Sequence, residues 1–220
     1  MHKYELCKHT EGENDVGKLV KLGFKNYLIQ NYIVYLFLIL FVVMGIIFGV
    51  LGVKALAPDQ LSNLDRYIDT GFKNISNQLD YQATAKHAIW RNLTIVFKIW
   101  FLGLTVIGLP LILVIIFTRG FILGFTVAFF LEKKSWQGLG IILLTIFPQN
   151  LLHLPAIIIA GASATAFSIY LLRGRSEHKT ISSYFLRYSL IMSILAVVMV
   201  LAGFIEGYIT PLAINFLNLR

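Results

Sequence analysis

The chain has 220 residues, 57% of them hydrophobic and only 14% charged, with a formal net charge of +8. A mean hydropathy of +0.75 is far above that of a soluble domain, and the long apolar runs leave little length for one, so composition points to an integral membrane protein with a single membrane-embedded domain, residues 32–220. The basic excess lies beside the apolar runs, where it acts as an orientation signal, and no stripe of bases and aromatics stands apart from them, which excludes nucleic acid as a partner; the single cysteine, Cys7, excludes an internal disulfide and a cysteine metal cluster.

Residues 1–31 form a hydrophilic tail. Lys18, Lys21 and Lys25 immediately precede the first apolar run and place this tail in the cytoplasm. Residues 16–29 read as a short helix lying on the inner leaflet. The run 32–53 is about 33 Å long as a helix, enough for one crossing and longer than the apolar region of a cleaved signal peptide. Residues 54–91 then fall outside. Their apolar positions Leu61, Leu64, Ile68, Phe72, Ile75 and Leu79 recur every three or four residues, with Asp65, Arg66, Asp69, Lys73 and Asn77 on the other face. Pro58 marks the start of this helix, with Asp59 as its N-cap. Such a stripe can pack on the membrane and the protein's own loops, or dock an extracytoplasmic partner.

Residues 93–117 read as the crossing back inward. Lys98 would snorkel to the outer interface beside Trp90 and Trp100, Gly103, Gly108 and Pro110 would kink the span, and Arg119 would follow in the cytoplasm. Residues 121–131 are too short to cross upright. Residues 136–172 are too long for one span and are interrupted at Pro148, a pattern of half-helices or a re-entrant turn. Arg173, Arg175 and Lys179 make the next basic loop, and residues 184–209 the last span, which would leave the C-terminus outside. The expected fold is therefore an all-α polytopic membrane bundle. It has five crossings plus one short or re-entrant element, six crossings being the rival, and one extracytoplasmic amphipathic segment.

Small residues mark where helices touch. Gly45 and Gly49, and Gly120 and Gly124, are spaced by four; Ala156, Ala160, Ala164 and Ser168 extend the same spacing over three turns. Chemistry is harder to find. There is no zinc-protease, nucleophile-elbow or phosphate-loop pattern, so no catalytic, cofactor-binding or metal-ligating residue is expected. Pro148, Gln149, Asn150 and His153 read as a structural polar turn whose amides satisfy backbone groups freed by the proline. Glu206 could pair with Lys98 across the bundle or sit solvated at the outer headgroups, and the nearby Tyr208 and Pro211 favour the second.

Three ordered segments carry a resemblance: Gly-Leu-Thr-Val-Ile-Gly-Leu-Pro at 103–110, Arg-Gly-Phe-Ile-Leu-Gly-Phe-Thr at 119–126, and Pro-Gln-Asn-Leu-Leu-His-Leu-Pro-Ala at 148–156 followed by Ile159, Ala160 and Gly161. Together, and on to Pro211, they resemble the stage II sporulation protein M family. The resemblance implies a non-enzymatic scaffold in the mother-cell septal or engulfing membrane of endospore-forming bacteria. Its implied partners are the peptidoglycan-degrading stage II sporulation proteins D and P, besides the lipid bilayer, and self-association is left open. The competing class is a transporter or permease subunit. A transporter should show Gln149, Asn150 and His153 converging on a polar cavity, whereas a scaffold should show them satisfied internally, with its accessible apolar surface outside.

Overall fold

The computed structural model describes residues 32–77, 81–105, 107–173 and 181–216. The N-terminal tail and Leu79 lie outside the described residues, as do Arg175 and Lys179, and so do the side chains of Asp69, Phe72, Lys73, Ile75 and Asn77. Among the described residues all regular structure is helical: α1 (Tyr32–Lys54), α2 (Pro58–Asn77), α3 (Tyr81–Gly103), α4 (Gly108–Ile141), a π-helical turn (Ile142–Ile146), α5 (Phe147–Arg173) and α6 (Ile181–Phe216). Four stretches are long and apolar enough to cross a membrane: Tyr32–Lys54, Gly108–Lys133, Gly138–Leu172 and Ile181–Ile209. With α3, whose 23 residues also reach bilayer length, the protein is an all-α polytopic membrane bundle of five long helices.

The glycines dictate how α1 meets α4. A Cβ on Gly45 would strike the backbone of Phe117 and Phe121, and one on Gly49 that of Phe121 and Phe125. In return, Gly120 lies on the Val42 carbonyl and Gly124 on that of Ile46. Residue number rises together along both helices, so α1 and α4 run parallel with their backbones in contact, the close approach small residues permit. α3 and α6 run antiparallel on a second seam, Gly203 against Ile89 and Gly207 against Ala85. Between the seams Ala156, Ala160, Ala164 and Ser168 are all buried, Gly161 faces Leu38, Ile112 and Ile116, and Gly103 faces Ala164.

Three expectations are corrected. Residues 93–117 are not one span: the chain turns at 104–107, where the Leu104 and Thr105 amides donate to the Phe101 and Leu102 carbonyls at 3.2 and 3.1 Å. Gly108 permits this turn, because a side chain there would strike Leu102. Pro110 then sits in the first turn of α4, where its missing N–H has no intrahelical partner to lose, so it starts a helix where a kink was expected. Residues 121–131 are not a separate short element but part of α4, so Arg119 lies within a span and not in the cytoplasm. Residues 136–172 are not broken at Pro148; helix continues through it, preceded by the π turn that absorbs the irregularity.

Helical hydrogen bonding is continuous from Gly108 to Arg173, yet Gly161 touches Ile116. A straight helix would hold those residues about 68 Å apart, so α4 and α5 fold back on one another and run side by side. With α1 leaving the cytoplasm, as the lysine-rich tail implies, α3 returns, α4 leaves, α5 returns and α6 leaves. α2 then lies on the outer side, against residues on both sides of the α4–α5 junction.

There α2 is not free along its whole stripe. Leu61, Leu64 and Ile68 pack against a cluster of Val53, Phe129, Phe130, Ile141 and Ile146. Its start is also shifted from expectation. Pro58 is the first helical residue and Ala57 precedes it, with the Ala57 amide donating to Gln60 Oε1 at 3.2 Å. Asp59 stands in the first turn, favourable to the helix dipole, and is not the cap.

A polar cavity at membrane depth

Arg119 immediately precedes Gly120, so α4 presents a backbone contact to α1 on one face and a guanidinium on the next. That face, with Val114, Thr118, Ile122 and Thr126 spaced by four, forms one wall of a cavity of about 520 Å³. α3 contributes Arg91, Ile95 and Lys98, α5 contributes Gln149, Asn150, His153 and Leu154, and α6 contributes Glu206. Four helices of bilayer length thus enclose one polar space, built by every long helix except α1.

Its depth follows from the helix positions. Arg119 is the twelfth residue of the 26-residue span Gly108–Lys133, whereas Arg91 bonds Glu206, near the end of the span Ile181–Ile209. A cation at the centre of a membrane helix costs about 2.5–3.5 kcal/mol on insertion scales unless it is paired. Arg91 is paired: its Nη2 donates to Glu206 Oε1, side chains 47% and 18% exposed respectively. This replaces Lys98 by Arg91 as the cation that Glu206 pairs with. Lys98 is five residues from the end of α3, at the cytoplasmic turn under the topology above, and not at the outer interface. Arg119 makes no ion pair among the described residues.

The polar turn divides into two parts. Asn150 Nδ2 donates to the Ile146 carbonyl at 2.8 Å, and Thr145 Oγ1 to the Ile141 carbonyl at 2.6 Å, so these side chains do serve the irregular backbone around the π turn. Gln149 Oε1 and His153 Nε2 are buried without a partner, although His153 is only 7% exposed. Gln149, Asn150 and His153 therefore converge on a cavity, the arrangement set out above for a transporter, and two of the three are not satisfied internally. The threonines of the α4 wall bond their own helix, Thr118 to Val114 and Thr126 to Ile122, each at 2.7 Å.

Sequence reasoning missed Arg91 and Arg119 as site residues, as well as the Gly203–Gly207 seam. The signal for Arg119 is in the sequence, since the apolar stretch continues on both sides of it, but a charge beside an apolar run also reads as a boundary. Among the described residues no group of three or more His, Cys, Asp or Glu could hold a metal ion.

The fold and site thus define an all-α polytopic membrane protein with a charged cavity among its helices. Comparison with known families places it further: the model of stage II sporulation protein M matches residues 37–211, and the chain belongs to that family. Comparison with curated proteins and with solved structures gave no match.

Proposed function

We propose that this chain is a non-enzymatic membrane scaffold of endospore formation that localises peptidoglycan-degrading proteins, of the kind of stage II sporulation proteins D and P, at the septal and engulfing membrane. Family membership across residues 37–211 carries the reading. The outer helix α2 supports it as a place for contact. Leu61, Leu64 and Ile68 are committed to the chain's own core, which leaves the opposite face, with Asn63, Arg66 and the 78% exposed Tyr67, to meet a partner. Photo-crosslinkers at Asn63 and Tyr67 in sporulating cells should capture the D or P protein. Recovery of neither, from a variant that supports engulfment, overturns the scaffold.

A second reading, a transporter or permease subunit, is favoured by one observation: the cavity with unpartnered Gln149 and His153 groups at membrane depth. Replacing Gln149 and Asn150 together by Ala separates the two. Under the scaffold reading, partner capture and engulfment survive together. Under the transport reading, engulfment is lost while capture persists.

A further inference from the structure

The cavity holds more positive charge than it offsets. Arg91, Lys98 and Arg119 line it with one carboxylate, Glu206, and that carboxylate bonds Arg91. Asn150, Gln149 and His153 add no negative charge. Lys98 is exposed and near a helix end, so water at the interface can solvate it. Arg119 has no such escape. It lies midway along its span, and a guanidinium does not give up its proton in a protein. Glu206 acts on Arg119 as well but is bonded to Arg91, so one carboxylate is shared among three cations and the cavity keeps room for a further anion.

We propose that this cavity is a binding site for a phosphate group, borne by an anionic lipid or by a small soluble phosphate. The choice of phosphate rests on the geometry of the donors. A single guanidinium fork uses both oxygens of a carboxylate, whereas two guanidinium groups, one of them already bonded to Glu206, and one ammonium from α3 and α4 line the same space. A phosphate has oxygens for more than one of them. His153, buried with Nε2 unpartnered at the α5 wall, can present an N–H to a further oxygen, and the Gln149 amide, rotated, can present its NH2. The volume of about 520 Å³ admits a phosphate together with the group that bears it. The inference is independent of whether the chain recruits partners or passes a solute, since either activity can depend on a bound phosphate.

The test uses the full chain purified in neutral detergent, free of phosphate buffers, and in parallel reconstituted in phosphatidylcholine nanodiscs with or without phosphatidylglycerol. Calorimetric titration with inorganic phosphate reads the soluble arm; native mass spectrometry of retained phosphatidylglycerol reads the lipid arm. Arg119→Gln should weaken binding in whichever arm is positive by at least about tenfold, the loss of one charge-assisted contact. Lys98→Gln should weaken it less, and Lys54→Gln, at the exposed end of α1 away from the cavity, should leave it unchanged. Without ligand, Arg119→Gln should melt at the same or a higher temperature than the parent, because it removes a cation that makes no ion pair of its own and is repelled by Arg91. Lys98 lies on the exposed rim, so its variant tests the site even if Arg119→Gln fails to accumulate. Binding in the soluble arm identifies a free phosphate, and in the lipid arm alone a headgroup. Binding in neither arm, or binding indifferent to both cavity variants, overturns the proposal. Partner capture plays no part in this assay, so its outcome does not depend on the scaffold reading.

Discussion

The two faces of α4 set a dry seam beside a charged cavity. Toward α1, Gly120 and Gly124 bring two backbones into contact with no polar side chain between them; one residue away, Arg119 enters a space shared with Arg91, Lys98 and Glu206. The seam gains its stability from dispersion and close approach, because lipid offers no hydrophobic drive for helices to associate. Such an interface tolerates no added atoms. The cavity is the reverse case. Its groups are costly to keep in the membrane, contribute little to packing, and can be changed in size without collision. A region that is expensive and not required for packing is where function is to be sought, and the seam is what holds the cavity wall in position.

That contrast can be broken most forcefully at the seam. Gly120→Leu places a branched side chain against the Val42 carbonyl, and neither backbone can withdraw without separating α1 from α4. The expected loss is 3 kcal/mol or more, on the order of the upper range for overpacking, read as failure to accumulate in the membrane. Normal abundance would show that the two helices do not depend on this contact. Ala160→Leu should act in the same direction, since Ala160 is fully buried. Ile158→Leu, at a half-buried site and of equal volume, should cost less than about 1.5 kcal/mol.

At the cavity the largest effect should come from Glu206→Gln, which leaves Arg91 as well as Arg119 without a carboxylate. Breaking a fully buried pair costs about 3–5 kcal/mol, but Arg91 is half-exposed, and about 1–3 kcal/mol is expected here. The double variant Arg91→Gln with Glu206→Gln should recover most of that loss, because it removes the stranded charge. If it is as unstable as the sum of both single changes, the pair is not coupled and the geometry at that corner is wrong.

How far the sequence disclosed this arrangement depended on the kind of signal. Apolar length and four-residue spacing of small residues are local patterns, so an all-α membrane bundle, the glycine pairs and the buried alanine ladder could be read directly. The positions of turns could not. Gly103, Gly108 and Pro110 were seen, but glycine and proline fit a kink and a reversal equally well, and only the contact of Gly108 with Leu102 decides between them. The cavity was half legible. Gln149, Asn150 and His153 stand out because their apolar surroundings make them costly, whereas Arg119, between two apolar runs, reads equally as the end of a span. The partner of Glu206 is 115 positions away in sequence, and no periodicity reports a contact of that range.

The smallest expected effect sharpens the boundary between structural and functional polarity within the turn itself. Asn150 bonds the Ile146 carbonyl at the end of the π turn, while Gln149, one residue away, leaves Oε1 without a partner. Asn150→Ala should therefore destabilise by about 1 kcal/mol, the usual worth of one hydrogen bond, visible as a modest fall in melting temperature in detergent. Gln149→Ala removes a buried polar atom that bonds nothing, and should leave the melting temperature unchanged or slightly raised. Both variants should insert and accumulate normally. If Gln149→Ala is the more damaging to stability, then Gln149 is part of the structural turn, and the division between a satisfied wall and an open cavity would have to be moved one residue along α5.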